Sequence, residues 1–180
     1  PRHPPMRDII KDSIKNRLIL STYDLHEDNF SRFFKALKDF KPKYIHAYPS
    51  SAIIFGKFLS KHNLKLESVK GVLCGSEQIY SGQRKIIEDA FNAKIYSWYG
   101  HSEGATIAGE CEINYDYHLA FEYGYTELID KSGNVISEPN KRGEIVGTSF
   151  EMKGFPIIRY RTGDFAEYVE KKCGCGRNYQ

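Results

Sequence analysis

The sequence lacks any apolar run long enough to cross a membrane. Its longest runs, such as residues 52–55, fall far short of the roughly 20 residues that a spanning helix needs. No segment has the composition of a secretory signal peptide. The first five residues, Pro-Arg-His-Pro-Pro, are charged and proline-rich, as in a linker or loop. These absences predict a cytoplasmic protein with no membrane partner.

Basic tracts, internal repeats and low-complexity segments are absent as well. The 26 Lys and Arg residues are interleaved with 23 Asp and Glu residues, and the net charge is only +3. This distribution is typical of a solvated mixed surface and argues against a nucleic-acid partner. The four cysteines are expected to stay unpaired in a reducing compartment. Hydrophobic residues make up 41% of the chain, enough for the core of one domain or of a large piece of one.

The first half of the chain alternates short strands with amphipathic helices. Strands are predicted at residues 17–21, 44–47, 69–74 and 94–98, the second of them buried, and helices at 27–40, about 50–62 and 81–92. Apolar side chains predicted to face inward are Phe30, Phe33, Phe34 and Leu37 in the first helix and Ile53, Ile54, Phe58 and Leu59 in the second. Ser50 or Ser51 is the expected N-cap of the second helix. This alternation predicts an α/β fold with a parallel or mixed sheet and helical crossovers.

The second half has no convincing long helix after Phe91. Strands are predicted at residues 117–123, 125–130, 143–150, 155–160 and 164–170, with a turn at 131–134. We therefore expect an α/β subdomain at residues 1–104, followed by an antiparallel, β-rich subdomain at 105–180.

Three predicted loops follow strands and carry small or polar residues. Their sequences are Gly75-Ser76-Glu77, Tyr99-Gly100-His101-Ser102-Glu103-Gly104 and Tyr160-Arg161-Thr162-Gly163-Asp164. Ligands of open α/β sheets bind at the carboxyl ends of the strands, and glycine lets the backbone approach a ligand closely. A carboxylate in such a loop can accept two hydrogen bonds from a ribose diol or bind Mg²⁺. Taken singly, each loop is also compatible with an ordinary turn.

The order of these motifs along the chain is far more specific. Gly-Ser-Glu, Tyr-Gly-x-Ser-Glu, Arg-Gly-Glu-Ile and Arg-Tyr-Arg-Thr-Gly-Asp follow one another, and this order resembles the adenylate-forming superfamily. The chain is most similar to the phenylacetate–CoA ligase group and its relatives in capsular polysaccharide biosynthesis. That similarity depends on Tyr-Ile-His-Ala-Tyr-Pro-Ser-Ser at 44–51, Phe-Pro-Ile-Ile-Arg-Tyr-Arg-Thr-Gly-Asp at 155–164 and Cys-Gly-Cys-Gly-Arg at 173–177. The resemblance implies part of the large amino-terminal domain of such an enzyme.

The resemblance also implies roles for individual residues in binding ATP or AMP. Nucleotide-binding residues would be Gly75, Ser76 and Glu77 beside the adenine, Tyr99 and Gly100 against its ring, Asp164 on the ribose hydroxyls, and Arg161 in the same motif as Asp164. Ser102 would contact the phosphate and Glu103 would help to hold Mg²⁺, and these two are the expected catalytic residues. An aromatic face suits a purine, a hydroxyl suits a phosphate, and a carboxylate suits a diol or a hard cation. His101 lies where the family varies and has at most a supporting role.

The implied reaction is ATP-dependent activation of a small carboxylic acid, with transfer to coenzyme A or another acyl acceptor. The family's Ser/Thr/Gly-rich phosphate loop and its carboxy-terminal lysine domain have no counterpart in these 180 residues. We therefore expect an incomplete chain that ends before the hinge. On its own it would bind nucleotide weakly and would not turn over.

Cysteine and histidine residues near the second half's loops form a candidate metal site. Cys173 and Cys175 lie in one short loop, and Cys111 and His118 are separated by six residues. A Cys₃His set suits tetrahedral structural zinc, with no open position for chemistry. The spacing is not that of a standard zinc finger, but members of the similar ligase group carry comparable positions. The alternative is four unrelated loop residues with reduced thiols. Cys74, in an apolar strand, is predicted to be a buried small hydrophobe.

Two other functions fit the same sequence. One is an AMP- or ATP-binding module without ligase activity, braced by structural zinc. The other is a zinc-braced interaction domain that has kept the motifs without their function.

Overall fold

The computed structural model describes residues 16–152, 154–170 and 172–177. After a short 3-10 turn at Thr22–Asp24, the elements in chain order are α1 (Glu27–Phe40), β1 (Tyr44–Ala47), α2 (Pro49–Lys61), β2 (Gly71–Cys74), α3 (Ser81–Phe91), β3 (Lys94–Gly100), β4 (Ile107–Gly109), β5 (His118–Leu119), β6 (Gly124–Ile129), β7 (Val135–Ile136), β8 (Gly143–Ser149) and β9 (Tyr160–Ala166). A five-stranded sheet has the order β1-β2-β3-β4-β5, and a four-stranded sheet has the order β7-β6-β8-β9. This confirms the predicted class, strand–helix alternation followed by an antiparallel β region. Of the helices that the structure describes, none is both long and apolar enough to span a bilayer.

The chain forms two compact units. Among the described residues, one comprises 16–73 and 77–95, and the other comprises 74–76 and the described part of 96–177. The change from an α/β to a β-rich subdomain was expected after residue 104, and that assignment stays a prediction.

The first unit has an aromatic core built by α1, α2 and α3. Phe30 and Phe33 of α1 are buried, and the ring of Phe30 lies 5.9 Å from that of Phe55 and 5.0 Å from that of Phe58. The helical face predicted for α1 is therefore the face that packs. The helix ends at Lys41, which adopts the left-handed conformation and donates its backbone N–H to the carbonyl of Leu37.

Helix α2 begins differently from the prediction. Its N-cap is Tyr48, Pro49 is the first helical residue, and Ser50 lies one position inside, so the expected serine N-cap is wrong. One free N–H group of this helix end is instead met by a carboxylate, because the backbone N–H and the hydroxyl of Ser50 donate to Glu77 at 2.9 and 2.8 Å. Ile54 was expected to face inward but is 47% exposed.

Two strand predictions in the first unit also need correction. Residues 17–21 have no strand, although their composition suggested one. Strand β1 has the predicted bounds, but Tyr44 is 60% exposed, so the strand is not buried. Helix α3 agrees with the prediction, and Asn92 ends it in the left-handed conformation with φ 48°.

The strands of the second unit pair in antiparallel fashion. Trp98 of β3 pairs with Gly109 of β4, which in turn pairs with His118 of β5. Strands β6 and β8 pair over six residues, and their inward side chains join Ile136 in a small apolar core with Leu128 and Ile145. Strand β5 is much shorter than the predicted strand at 117–123, whereas β6 and β8 lie where expected.

Strand β9 corrects a prediction that concerns the candidate site. Residues 160–164 were expected to form a loop between two short strands, but they lie inside one continuous strand, Tyr160–Ala166. Pairing with β8 extends the strand through the glycine-containing motif, and the register shifts between Glu144 and Val146. A β-bulge of this kind redirects side chains locally.

Candidate functional site

Two of the predicted nucleotide-binding glycines contact the chain's single tryptophan. A Cβ atom added to Gly75 would lie 2.4 Å from Nε1 of Trp98, and one added to Gly100 would lie 2.8 Å from the other edge of the same ring. Both distances are too short for any real side chain. Packing of Trp98 therefore accounts for glycine at these two positions without a ligand, and the indole, 37% exposed, lies beside both motifs.

Tyr99 and Asp164 lie together although 65 positions separate them. The Tyr99 hydroxyl donates to Oδ2 of Asp164 at 2.8 Å, and the backbone N–H of Asp164 donates to the Thr162 hydroxyl at 3.1 Å. Burial, together with the neighbouring Asp164 carboxylate, raises the pKa of Tyr99 to about 12. The phenol therefore stays protonated at neutral pH and remains a hydrogen-bond donor.

Glu103 is held by two side chains from different elements. His101 Nδ1 lies 3.1 Å from Oε2, and the hydroxyl of Tyr160 in β9 donates to Oε1 at 3.1 Å. Its own backbone amide, then His101 and Tyr160, lower the pKa of Glu103 through hydrogen bonds, so this carboxylate is ionised at neutral pH. Its side chain is 41% exposed, which leaves it accessible to a cation.

The His101 ring is enclosed by two tyrosines. It stacks on Tyr160 with centroids 5.6 Å apart and planes at 26°, and it meets Tyr99 edge-on at 6.3 Å. Its Nε2 atom is buried and has no hydrogen-bond partner among the described residues. Leaving a polar atom buried in this way costs about 1–3 kcal/mol, so the ring's other contacts must offset that loss.

Arg161 is tied to the neighbouring strand. Its guanidinium donates to Oε2 of Glu144 through both Nε, at 3.0 Å, and Nη2. The backbone N–H of Gly163 donates to Oε1 of the same carboxylate at 3.3 Å. The predicted nucleotide-binding role of Arg161 thus competes with a strand-to-strand ion pair.

The remaining predicted site residues lie in loops. Ser102 is exposed beside Glu103. Ser76 is exposed and has φ 66°, which is strained backbone for a residue with a side chain and is common at ligand-binding loops. Glu77 makes its side-chain contacts with Ser50, in the first unit.

The four predicted zinc ligands converge. The Sγ atoms of Cys111, Cys173 and Cys175 and a ring nitrogen of His118 all lie within 4.8 Å of one another. Cys111 and Cys173 have their sulfurs 3.6 Å apart, and Cys175 Sγ lies 3.5 Å from Nε2 of His118.

Backbone amides also point at this cluster. The N–H of Ile113 donates to Cys111 Sγ at 3.3 Å, and that of Cys175 donates to Cys173 Sγ at 3.5 Å. Burial raises the pKa of Cys111. Hydrogen bonds from the backbone amides of Asn114 and Ile113, and then from His118 and Cys173, outweigh burial and lower the pKa overall. A thiolate stabilised in this way at Cys111 fits a divalent soft-to-borderline metal. Cys74, in contrast, is fully buried in β2, as predicted.

Comparison with curated proteins finds acid–CoA ligases. The chain is 27% identical over 148 residues to a phenylacetate–coenzyme A ligase of Thermus thermophilus, covering 79% of this chain and 33% of that protein. A phenylacetate–coenzyme A ligase of Pseudomonas putida is 31% identical over 141 residues, covering 74% and 31%. The protein CapK of Staphylococcus aureus is 27% identical over 158 residues, covering 84% and 32%. No family model matches the chain.

Solved structures agree on the fold. The crystal structure of an open 2-hydroxyisobutyryl-CoA ligase, in complex with 2-HIB-AMP and CoA, superposes with a TM-score of 0.74 at 24% identity. The superposition covers 86% of this chain and 35% of the 2-hydroxyisobutyryl-CoA ligase chain. The chain is similar in sequence to these acid–CoA ligases, and its fold matches part of the amino-terminal domain of adenylate-forming enzymes. It spans about a third of the length of the curated relatives named here, 31% to 33% of each.

Sequence reasoning missed part of this candidate site. Tyr160 was quoted only as part of a motif, and Trp98 only as the end of a strand. His101 was given no more than a supporting role. The signal that could have found them is composition, because two tyrosines and one imidazole fall within the two motifs that carry Glu103 and Asp164, and Trp98 directly precedes the first motif. Which ring meets which carboxylate depends on the pairing of distant segments, which the sequence does not display.

Proposed function

We propose that this segment binds the adenosine and phosphate of ATP in an enzyme that converts a carboxylic acid to an acyl-adenylate. The observation that carries the proposal is the convergence of Asp164 and Glu103, each held by a tyrosine hydroxyl. The named relatives, phenylacetate–coenzyme A ligases, support it. In such a reaction a carboxylate oxygen attacks the α-phosphate and pyrophosphate leaves. A thiol such as that of coenzyme A then takes the acyl group and releases AMP.

The proposed roles follow from the chemistry of each side chain. Asp164 would accept hydrogen bonds from both ribose hydroxyls, which requires the Tyr99 hydroxyl to share or release Oδ2. Tyr99 would lie against the adenine, together with Gly100 and the loop of Gly75, Ser76 and Glu77. Ser102 would donate to a phosphate oxygen, and Arg161 would add positive charge near it.

Glu103 fits a magnesium ion. Hard cations prefer carboxylate oxygens, and this carboxylate is both ionised and partly exposed. Bound there, Mg²⁺ would neutralise the charge on the phosphates.

Nucleotide binding is the direct test of the proposal. AMP is titrated into the 180-residue chain while the fluorescence of Trp98, the single tryptophan, is recorded. We expect saturable quenching in the wild type and roughly tenfold weaker binding in Asp164→Asn, because the amide loses a charged acceptor for the ribose. Asp89→Asn removes an exposed carboxylate of α3 and serves as the matched control. Equal AMP affinity in all three proteins would contradict the assigned role of Asp164.

Acid-dependent ATP–pyrophosphate exchange separates an enzyme from a binding module. The assay uses the longest natural protein that contains this segment, with aryl, fatty and amino acids as substrates. Exchange with one class would identify the acid, whereas AMP binding without any exchange would favour the non-catalytic module. The 180-residue chain alone is expected to show none.

We further propose that Cys111, His118, Cys173 and Cys175 hold a structural zinc ion. A closed set of three thiolates and one imidazole leaves no position for substrate, so the metal would brace the two loops. Protein purified without chelator should contain one zinc per chain by native mass spectrometry. Cys173→Ser should lose most of it, and Cys74→Ala should keep it, because Cys74 is not among the four clustered ligands. Metal-free wild-type protein of unchanged thermal stability would contradict the site.

A further inference from the structure

The Glu103 carboxylate has a hydrogen-bond donor on each oxygen, and the two donors come from different parts of the chain. His101 is two residues away in the same loop, while Tyr160 is 57 positions away in β9. Two donors at opposite oxygens fix both the direction and the plane of a carboxylate. With the hydrogen bond from the backbone amide of Glu103 itself, three of the roughly four lone-pair directions are occupied, and one is left for a cation.

The His101 ring is itself held in place. Its side chain is only 14% exposed, it stacks on the Tyr160 ring, and it meets the Tyr99 ring in an edge-on contact. Because Nε2 is buried and has no partner among the described residues, Nδ1 is the ring atom through which His101 acts on its surroundings. That atom is directed at Glu103.

Resting on the function proposed above, we propose that His101 is a positioning residue that orients the Glu103 carboxylate for Mg²⁺, with Tyr160 as the second donor. A cation ligand that is already oriented loses less conformational entropy when the metal binds. Hydrogen-bond partners of metal-binding carboxylates typically change metal affinity by roughly 10–100-fold when they are removed.

Two substitutions of His101 distinguish positioning from simple packing. In His101→Asn the amide nitrogen lies near the former Nδ1 and can still donate to Glu103. In His101→Gln the amide lies near the former Nε2 and cannot make the same bond. Tyr160→Phe removes the second donor while keeping the ring. His26→Gln, at an exposed position at the start of α1, is the control for loss of an imidazole.

The measurement is the Mg²⁺ concentration that gives half-maximal ATP binding, followed by Trp98 fluorescence, alongside AMP affinity without metal. We expect His101→Gln and Tyr160→Phe each to raise the half-saturating Mg²⁺ concentration roughly tenfold. Both should leave metal-free AMP affinity within about twofold, since one hydrogen bond to Glu103 does not touch the ribose. His101→Asn and His26→Gln should resemble the wild type. Identical Mg²⁺ responses in the Asn and Gln variants, or equal losses of AMP and Mg·ATP binding, would overturn the proposal.

A second measurement keeps this inference separate from the proposed function. Long-range ¹H–¹⁵N spectra of the imidazole nitrogens report whether His101 carries its proton on Nδ1, and they need no nucleotide. We expect a protonated Nδ1 in the wild type and in Tyr160→Phe. A wild-type chain that carries the proton on Nδ1 of His101 but binds neither AMP nor ATP would refute the nucleotide site and not the contact between His101 and Glu103. An unprotonated Nδ1 in a chain that binds AMP would refute the positioning role alone.

Discussion

At the scale of single residues, glycine has two different reasons to occur in this site. Glycine-rich loops are expected to let a ligand approach the backbone, yet Gly75 and Gly100 already have a tryptophan ring against them. Packing against Trp98 is thus one reason why both motifs contain glycine at these positions. A nucleotide, if bound, would meet a surface whose shape Trp98 determines.

Substitution of Gly75 tests this packing. Gly75→Ala would place a methyl group 2.4 Å from Nε1 of Trp98, so the ring or the loop must move. We expect a loss of about 1–3 kcal/mol in the free energy of unfolding and a shift in tryptophan emission. Gly82→Ala is the matched control, because no atom lies within 4 Å of its added methyl and the position is helical, and it should stabilise the chain by about 0.4–1 kcal/mol. Denaturant unfolding of both variants gives the comparison, and a Gly75→Ala chain as stable as wild type would contradict the packing.

Residue contacts were also the least predictable part of the site. The motifs around Glu103 and Asp164 could be found in the sequence, because each is a short run of neighbouring residues. The bonds from Tyr99 to Asp164 and from Tyr160 to Glu103 join segments 65 and 57 positions apart. Such pairs depend on sheet register, and a shift of one residue would turn each side chain to the opposite face.

At the scale of secondary-structure elements, helices were predicted better than strands. The periodicity of Phe30 and Phe33 identified α1 and its buried face, because a helix displays its packing at fixed spacing. Strand β9 was predicted as a loop between two strands, since Gly163 and its neighbours resemble a turn. These residues form a strand because they pair with β8, which lies elsewhere in the sequence. The strand expected at 17–21 does not form for a related reason, because none of the described strands pairs with this segment.

The pair of strands β8 and β9 is held by an ion pair whose strength depends on pH. The Arg161 hydrogen bond, together with its charge, lowers the pKa of Glu144. A carboxyl group whose pKa is lower in the folded state stabilises the fold above its unfolded pKa of about 4.3, and this contribution is lost as the pH falls through the folded value. Glu144→Gln should therefore lower the melting temperature at pH 7.

The difference between Glu144→Gln and wild type should be constant from pH 8 to about pH 5 and should shrink below about pH 4. Thermal unfolding by circular dichroism across this range measures it. Glu151→Gln removes a neighbouring exposed carboxylate and should show almost no difference at any pH. A difference for Glu144→Gln that persists undiminished at pH 2–3 would mean that packing, and not the ion pair, determines its effect.

At the scale of the whole molecule, the two compact units differ in what stabilises them. The first unit buries a cluster of phenylalanines, whose rings lie 5.0 to 6.4 Å apart. The second packs an apolar cluster of Leu128, Ile136 and Ile145, and it contains all four converging metal ligands. A metal at these ligands would stabilise the second unit, because it binds the folded site and not the unfolded chain.

Metal removal should therefore affect the two units unequally. After treatment with a strong chelator, hydrogen exchange measured by mass spectrometry should accelerate in peptides from residues 105–125 and 160–177, which contain the two ligand segments. Peptides from α1 and α2 should exchange at nearly their original rates, because the phenylalanine core has no metal ligand. Readdition of zinc should restore protection, and Cys173→Ser should resemble the chelated wild type from the start. Uniform acceleration across both units would mean that the metal stabilises the whole chain, while unchanged exchange in 105–125 would mean that the converging thiols hold no structural ion.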